Sequence, residues 1–510
     1  MGSSKIDGTG IDLFSIEEIA LKKKSVVLDE RARKRCSDNR SIVEEMLEKG
    51  KPLYGINTGF GDLARVSISN DDLARLQTNL IRSHAVGVGS PLSREVVRAA
   101  LLLRANTLAR GASGVRPILI DSLLALLNAN VSPLIPEKGS LGASGDLAPL
   151  AHMSLVLLGE GKAFVGDECL PGLEALEMAG IPPLELQAKE GLALINGTPI
   201  MSAIASLSLL RARKLIKAAS IIAAMSIEAL RGTDAAFDPR IHELRGHPGQ
   251  IEIARFLRET LSMSSIRQSH LDCKKVQDAY SLRCTPQVLG ACLDAWLHSK
   301  EVVERELNAV TDNPLVFEDG IFSGGNFHGE PIGLVCDYLS SAMSEIGSIS
   351  ERRCFRLLTS SLSDLPPFLV KESGVNSGLM IAQYTAASLA SENKILSHPA
   401  TTDSIPSSAD QEDHVSMATT AARKTWAILD NLENILSVEY LCASQAIDLL
   451  HPLEPSPATK SAHTLLRDKV PTIDDDRCFG LDIEKSKELI VSGEVERLAS
   501  EKISFEWELL

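Results

Sequence analysis

Apolar residues recur at intervals of three and four along much of this chain, which is the spacing of a buried helix face. The stretches with this spacing are long, and they cover residues 200–231, 286–309, 336–358 and 380–394. No strand-like alternation of comparable length accompanies them. The pattern therefore predicts a mainly α protein with a bundle of long helices at its core.

The chain divides into three parts by the same pattern. Residues 1–198 mix short helical patterns with glycine and proline and predict a loop-rich N-terminal domain, whereas residues 199–450 carry the long helices. Proline density rises at 451–457, and residues 451–510 predict a peripheral helical segment. The longest uncharged run, 191–210, is interrupted by Asn196-Gly197-Thr198-Pro199, so it predicts a bundle helix and not a membrane span.

Composition narrows the class of protein. Aromatic residues make up only 4% of the 510 residues, and 67 acidic against 52 basic residues give a net charge of -15. The low aromatic content is typical of closely packed helices. The negative net charge disfavours nucleic acid and anionic membranes as partners. The nine cysteines include no C-x-x-C pair, and the polar start lacks a secretory signal, so a cytoplasmic location is expected. No metal is expected, since His242 and His247 are five apart and a zinc helix needs four.

The segment GSLGASGDLAPL, residues 139–150, carries the most specific chemistry. If the amide nitrogen of Gly145 attacks the carbonyl carbon of Ala143 and two waters leave, a five-membered imidazolone forms. Its exocyclic methylene derives from Ser144 and is an electrophile. Small residues on either side of the serine let the backbone fold onto itself, and glycine lacks the Cβ that blocks the tight conformation.

A second Ala-Ser-Gly triplet provides an internal comparison. Residues 112–114 lie between an apolar, arginine-containing stretch and Val115-Arg116-Pro117, which predicts a break between two helices. The triplet at 143–145 is instead followed by Asp146 and the apolar run 147–158, which predicts a helix starting directly after the loop. The partial positive charge of that helix N-terminus favours negative charge developing on the ring.

The segment 139–161 resembles the cofactor segment of the aromatic amino-acid ammonia-lyases, which use a methylidene-imidazolone group. Further stretches are similar to that family in the same order: YGINTGFG, SHAVG, KEGLALINGT, VQDAYSLRC, SGGNFHGEP and QEDHVSM. The resemblance implies an ammonia-lyase/fumarase-like helical fold and a 4-methylidene-imidazol-5-one formed autocatalytically from Ala143, Ser144 and Gly145. It implies no external cofactor, and a homotetramer whose active sites combine residues of several subunits.

The resemblance also assigns proton transfer. Elimination of ammonia from an α-amino acid faces a poor leaving group, which the electrophile addresses, and a β-proton of low acidity, which needs a base. The resemblance implies Tyr54 as that base and Tyr280 as its assistant. From the residues alone, a packed aromatic anchor is the alternative for Tyr54.

Four further residues are implied to line the site. Arg283, three residues after Tyr280, suits a substrate carboxylate, while Asn196 and Gln277 supply hydrogen bonds to the carboxylate and the cofactor ring. Phe327 is implied to pack on the cofactor. Without the resemblance, a surface ion pair for Arg283 and a core aromatic for Phe327 are the alternatives.

His84 and Glu412 bear on substrate choice. In histidine-accepting members of the family a histidine and a glutamate occupy these positions, and an imidazole offers a donor and an acceptor that they can meet. The implied reaction converts L-histidine to trans-urocanate and ammonia, the first step of histidine degradation. Two departures, Ala279 in place of the usual proline and Asp410 in place of asparagine, predict at most reduced or shifted activity.

Two alternatives stay open at this point. One is a tyrosine or phenylalanine ammonia-lyase, or an aminomutase, on the same scaffold. The other belongs to a different class and is a helical scaffold protein without the cofactor.

Overall fold

A computed structural model describes residues 3–49, 56–58, 68, 72–271 and 276–510. The chain folds into two compact units, each assembled from three separate stretches of sequence. Unit 1 contains residues 1–207, 300–337 and 399–423, and unit 2 contains residues 208–299, 338–398 and 424–510. Each unit therefore combines residues that lie hundreds of positions apart in the chain.

Helices are the dominant element of the described residues. In chain order they are α1 (Leu13–Ile16), α2 (Glu30–Glu48), α3 (Leu73–His84), α4 (Arg94–Ala109), α5 (Pro117–Asn128), α6 (Leu147–Leu157), α7 (Gly172–Ala179), α8 (Glu190–Ile195), α9 (Pro199–Ala229), α10 (Pro239–Arg245), α11 (Pro248–Thr260), α12 (Ser265–Gln268), α13 (Tyr280–Arg283), α14 (Thr285–Glu306), α15 (Glu330–Leu358), α16 (Ser360–Ser363), α17 (Met380–Leu396), α18 (Ala418–Asp448), α19 (Pro457–Arg467), α20 (Phe479–Ser492) and α21 (Glu494–Ser500). A π-helical turn (Glu17–Leu21) and 3-10 turns (Ala235–Phe237 and Pro367–Leu369) lie between them. The predicted mainly α fold class is confirmed.

The long helices follow the predicted apolar stretches closely. Helices α9, α14, α15 and α17 cover the four stretches, with ends shifted by at most six residues. Helix α18, 31 residues long, was not among them. Four of the five unit boundaries fall inside long helices, namely α9, α14, α15 and α18.

Helix α9 illustrates why such segments are helical and buried. Proline occupies its first position, where the missing N–H costs nothing, and the helix then runs to Ala229 without a glycine or another proline. Most of its residues are small or aliphatic and are buried on all sides. A helix that is apolar over most of its circumference is stabilised by burial inside a large core.

Unit 1 adds short strands to its helices. The strands are β1 (Ser4–Ile6), β2 (Val26–Leu28), β3 (Val88–Pro91), β4 (Ser132–Pro133), β5 (Pro136–Lys138), β6 (Lys162–Val165), β7 (Glu168–Pro171), β8 (Leu315–Phe317) and β9 (Gly320–Phe322). β1 pairs with β2 in parallel, with Ser4 opposite Val26, and β4, β6 and β7 form an antiparallel sheet in that order. The antiparallel pairs β3–β5 and β8–β9 complete the set, and β5 leads into the Ala143 loop.

Unit 2 buries polar side chains between its long helices with matched partners. Glu439 of α18 accepts hydrogen bonds from Nε and Nη2 of Arg353 in α15 and from the Ser226 hydroxyl of α9. The Trp296 indole of α14 donates to the carbonyl oxygen of Leu209 at 2.9 Å. Such pairing offsets part of the cost of burying charged groups.

No helix among the described residues combines the length and apolarity needed to cross a membrane. The uncharged run at 191–210 forms α8 and the start of α9, with a turn at 196–198 between them. The division of the sequence into 1–198, 199–450 and 451–510 stays a prediction.

Candidate active site

The Ala143-Ser144-Gly145 loop lies between β5 and α6, and α6 begins at Leu147 as predicted. Gly145 has a φ of +74°, and a Cβ there would lie 2.0 Å from the carbonyl oxygen of Gly197. No other residue fits this position, because both the backbone angle and the approach exclude a side chain. Gly142, with a φ of +67°, is similarly confined, since a Cβ would lie 2.2 Å from the Ser416 hydroxyl.

The turn between α8 and α9 holds the loop from one side. Gly145 and Gly197 form a parallel bridge, and the Asp146 amide donates to the Gly197 carbonyl at 2.7 Å. The side-chain amide of Asn196 donates to the carbonyl oxygen of Ser144 at 3.1 Å. Asn196, predicted from the sequence to contact the cofactor ring, therefore touches the residue that carries the hydroxyl.

Asp146 joins the loop to two helix starts, a role that the sequence did not reveal. One carboxylate oxygen accepts hydrogen bonds from the hydroxyls of Ser140 and Thr419, at 3.0 and 2.6 Å. The other accepts from the amides of Ile200 and Met201, at 3.0 and 2.9 Å, and so caps the N-terminus of α9. Burial raises the pKa of Asp146 to about 6, although these hydrogen bonds act to lower it.

The raised pKa of Asp146 makes stability depend on pH in a defined direction. Below about pH 4 the carboxyl is protonated in both states, and between about pH 4 and pH 6 only the unfolded chain ionises, which disfavours the fold. The stabilisation present below pH 4 is thus lost as pH rises through 6, by about 3 kcal/mol in total.

Urea denaturation of wild type and Asp146→Asn from pH 4 to pH 7 measures this effect, since the asparagine cannot titrate. We expect the free energy of unfolding of wild type to fall relative to the variant by about 2 kcal/mol over that range, because part of the total change lies below pH 4. A difference that is constant with pH would show that Asp146 is ionised throughout.

Glu412 is hydrogen-bonded directly to the Ser144 hydroxyl. Ser144 Oγ donates to Glu412 Oε1 at 2.6 Å, and the other oxygen, Oε2, accepts from Ser407 Oγ at 2.7 Å. Backbone hydrogen bonds in both directions between Ser407 and Glu412 close the intervening turn. Asp410 lies in that turn with a φ of +64°, a left-handed conformation that asparagine and aspartate adopt more often than most other residues.

His84 is the last residue of α3 and is half-buried. Burial lowers the pKa of its imidazole, although the charge of Glu412 acts in the opposite direction. Its Nδ1 lies 3.1 Å from the Ser83 hydroxyl. The structure thus brings His84 within electrostatic range of Glu412, and a neutral imidazole there can donate or accept.

Phe327 is half-buried in unit 1, in the segment that precedes α15. Two residues later the Gly329 amide donates to the Gly142 carbonyl at 3.4 Å, so this segment lies against the loop. Contact of Phe327 with the cofactor stays a prediction.

Gln277, Tyr280 and Arg283 form a local cluster in unit 2. Arg283 Nη2 donates to Gln277 Oε1 at 3.0 Å, and the guanidinium lies 4.7 Å from the centre of the Tyr280 ring. The stretch 280–283 is helical, as the assignment of Arg283 assumed, and Tyr280 is 71% exposed. Ala279 precedes it with a φ of -62°, which proline would also adopt.

The two remaining sequence predictions have different outcomes. Tyr54 lies outside the described residues, so its role stays a prediction. The triplet Ala112-Ser113-Gly114 forms the break between α4 and α5 that the sequence predicts. The Ala112 carbonyl accepts from Val316 and the Gly114 amide donates to Asn39, and these bonds anchor the turn.

One set of side chains among the described residues has ligand atoms close enough for a metal ion. These atoms, of His328, Glu330 and His414, lie within 4.8 Å of one another. The His328 and His414 rings are parallel, with centres 5.8 Å apart. None of the three is fully buried, and the absence of a metal stays a prediction from the sequence.

Three neighbours constrain the loop around Ser144. Gly145 holds the backbone turned with no Cβ in the way, Asn196 holds the Ser144 carbonyl, and Glu412 holds the hydroxyl that must leave. Asn196 Oδ1 is buried with no hydrogen-bond partner among the described residues, so a polar acceptor remains available beside the serine. The structure thus holds both the carbonyl and the hydroxyl of Ser144 by hydrogen bonds.

The chain is similar to known proteins over nearly its whole length. The aromatic amino acid lyase family model matches residues 11–468. Histidine ammonia-lyase of Caldanaerobacter subterraneus subsp. tengcongensis is 50% identical over 501 residues, which cover 98% of each chain. The solved structure of histidine ammonia-lyase from Trypanosoma cruzi is 40% identical, with a TM-score of 0.91 over 98% of this chain and 96% of that one. Tyrosine aminomutase from Streptomyces globisporus is 37% identical, with a TM-score of 0.93 over 99% of this chain and 100% of that one.

Proposed function

Because the chain belongs to the aromatic amino acid lyase family, we propose that it is a histidine ammonia-lyase that converts L-histidine to trans-urocanate and ammonia. It is thus a carbon–nitrogen lyase. The observation that carries the proposal is the pair of hydrogen bonds that hold Ser144, from the Asn196 amide and to Glu412. The identity to histidine ammonia-lyases over nearly the whole chain supports the substrate.

We propose that Ala143, Ser144 and Gly145 form a 4-methylidene-imidazol-5-one. The Gly145 nitrogen bonds to the Ala143 carbonyl carbon, whose oxygen leaves as one water, and Ser144 loses its hydroxyl and α-hydrogen as the second. The close packing of Gly145 on Gly197 supports this proposal, because it keeps the backbone turned before the ring closes. When present, the group supplies an electrophilic carbon that makes the substrate amine a better leaving group.

The protein side chains then bind the substrate and move its protons. In the overall reaction the bond from Cα to nitrogen breaks, a base takes the β-proton, and nitrogen departs as ammonium. We assign the base to Tyr54, assisted by Tyr280, and the substrate carboxylate to Arg283 and Gln277. Arg283 contacts both Gln277 and Tyr280, and these contacts support a shared role for the three residues.

Glu412 and His84 select the imidazole. A carboxylate can accept from an imidazole N–H, and a neutral histidine can donate or accept opposite it. The charge of Glu412 acts on His84, and burial keeps the His84 pKa low, which supports a joint binding site. Phenylalanine offers no partner for either group.

A homotetramer with shared active sites is part of the proposal. Helix α17 presents Ile381, Tyr384 and Ile395 at 60%, 60% and 73% exposure, which is unusual for a monomer's surface. Size-exclusion chromatography with light scattering measures the assembly, and a monomeric active enzyme would contradict it. A cytoplasmic location stays a prediction from the sequence.

A substrate panel tests the proposed function. The purified protein is mixed separately with L-histidine, L-tyrosine and L-phenylalanine, and the ultraviolet absorbance of each conjugated acid and the released ammonia are followed. We expect product from histidine alone. Product from tyrosine or phenylalanine would favour the other lyases, β-amino acid product would favour an aminomutase, and no product would favour a protein without the cofactor.

Glu412→Gln is expected to lower kcat/KM for L-histidine by about tenfold to a hundredfold, since a hydrogen bond to a charged group contributes about 1.5–3 kcal/mol. Steady-state kinetics with histidine measure the loss. The control is Glu318→Gln, an exposed residue in the turn between β8 and β9, which should leave kcat/KM unchanged. Equal rates for Glu412→Gln and wild type would remove Glu412 from substrate binding.

A further inference from the structure

Arg104 of α4 is fully buried beside the candidate site, yet it makes little use of its hydrogen-bonding capacity. Its Nη1 donates to the carbonyl oxygen of Asn196 at 2.7 Å. Its Nε and Nη2 are buried without a hydrogen-bond partner among the described residues. Burying a guanidinium costs several kcal/mol, and a single hydrogen bond offsets only part of that cost.

Arg98, six residues earlier in the same helix, shows what a structural arginine looks like here. It is 5% exposed, and its three nitrogens donate to the carbonyls of Ala20, Leu127 and Ile19 and to the side chain of Asn130, at 2.8–3.1 Å. Every donor group of Arg98 serves to connect segments of unit 1. The burial of Arg104 has no comparable structural explanation.

The charge of Arg104 is only partly neutralised. The carboxylate that acts on it is Asp312, which is itself paired with Lys189 at 2.8 Å, and all three side chains are fully buried. Two cationic groups therefore face one carboxylate. Burial lowers the pKa of Arg104 to about 10, so the guanidinium stays charged at neutral pH.

Arg104 is connected to Ser144 through Asn196. Asn196 ends α8 with an extended backbone, its carbonyl held by Arg104 and its side-chain amide on the Ser144 carbonyl at 3.1 Å. The guanidinium also packs against Gly197, where a Cβ would lie 2.7 Å from Nη1. Two hydrogen bonds thus separate Arg104 from the Ser144 carbonyl oxygen.

We propose that Arg104 is a positioning residue, which holds the Asn196 carbonyl so that the Asn196 amide stays on Ser144, and whose charge stabilises negative charge on the Ser144 carbonyl oxygen. This inference rests on the proposed ammonia-lyase function. A buried positive charge acts strongly at such a distance because the interior screens it weakly. Substrate contacts are not involved, so the effect belongs to the reaction step and to ring formation, and not to substrate affinity.

Matched substitutions at the two arginines test the inference in the full-length enzyme. The variants are Arg104→Lys, Arg104→Met and Arg98→Lys, with wild type alongside. Intact mass after a pulse of synthesis follows the loss of two waters, which reports ring formation without turnover. Steady-state kinetics give kcat per cyclised chain and KM, and thermal unfolding gives Tm.

Arg104→Met should lower kcat per cyclised chain by about tenfold to a hundredfold, less than the loss for a direct oxyanion donor, with KM within about threefold of wild type. Its water loss should be slower, and Arg104→Lys should recover part of both. Arg98→Lys should lower Tm while its kcat and water loss match wild type. If Arg104→Met does not fold, the comparison of the two lysine variants carries the same test.

Wild-type kcat and wild-type water loss in Arg104→Lys and Arg104→Met would overturn the inference while leaving the proposed function intact. An equal fall of kcat in Arg98→Lys would also overturn it, because a general loss of packing would then explain both. Wild type that neither loses water nor releases ammonia would instead contradict the proposed function.

Discussion

Ser144→Ala is expected to abolish ammonia release from L-histidine, with kcat lowered by about a thousandfold or more, equivalent to ~4 kcal/mol of activation free energy. The hydroxyl of Ser144 is the atom that must leave to create the electrophile, and alanine has nothing to eliminate. Substrate can still bind in the variant, but its amine remains a poor leaving group.

The fold should survive this substitution. Among the described residues the Ser144 side chain is hydrogen-bonded to Glu412, and Glu412 keeps its second partner, Ser407. One lost hydrogen bond costs about 1 kcal/mol, which is small against the stability of a large core. Circular dichroism and Tm close to those of wild type would therefore show that lost activity is a chemical effect.

Ser113→Ala is the matched control for this prediction, because it makes the same change in the other Ala-Ser-Gly triplet. The Ser113 hydroxyl is buried without a hydrogen-bond partner among the described residues, so its removal should leave both kcat and Tm near wild type. Ammonia assays on both variants make the comparison. Substantial turnover by Ser144→Ala, or an equal loss in Ser113→Ala, would contradict the assignment of the reactive triplet.

Gly145→Ala is expected to be almost as damaging, for a steric reason. An alanine Cβ would lie 2.0 Å from the Gly197 carbonyl oxygen and 2.4 Å from its carbon, at a φ of +74°. Backbone atoms cannot move aside as the end of a flexible side chain can, so the backbones of Gly145 and Gly197 must separate. The backbone of the triplet is then displaced, and we expect neither ring formation nor turnover.

Gly166→Ala is the control, because it tests the effect of a left-handed backbone angle without a steric clash. Gly166 has a φ of +58° in the turn between β6 and β7, with nothing within 4 Å of a Cβ. Alanine there costs only the left-handed conformation, about 1 kcal/mol, and should lower Tm slightly without affecting activity. Mass spectrometry and ammonia assays on both variants test the prediction, and a fully cyclised, active Gly145→Ala would refute it.

The long helices were predictable because their apolar spacing is local. Helices α9 and α17 follow the predicted stretches almost residue for residue, since a buried face of small and aliphatic residues leaves few other conformations. The start of α6 was equally local, because a glycine-rich turn ended where an uninterrupted apolar run began. Helix α18 carries the same kind of signal and could have been included.

The contacts that build the site were not predictable, because they join distant positions. Ser144 and Glu412 are 268 residues apart, and their direct hydrogen bond has no local signal. Asp146 follows the triplet in sequence, yet its partners are the start of α9 and Thr419. Arg104 looked like one of several arginines in an apolar stretch, and only its burial beside Asn196 distinguishes it.

The residues around the site were identified from whole motifs and not from single side chains. Gly197 was not among the predicted site residues, because its backbone pairing with Gly145 leaves no signal in composition or spacing. The family resemblance supplied His84 and Glu412, and the structure brings both within range of each other in unit 1. The roles of these residues stay predictions from the resemblance, and the structure adds the contacts around them.

The most direct test of the account is the mass of the tryptic peptide 139–162 from the purified wild-type protein. Cleavage after Lys138 and Lys162 releases the triplet in one piece. We expect the wild-type peptide to have a mass lower than its encoded mass by two waters. The peptide from Ser144→Ala should have the mass encoded for that variant, without loss of water. A wild-type peptide of full encoded mass would show that the electrophile is not made, and the ammonia-lyase mechanism would then fail.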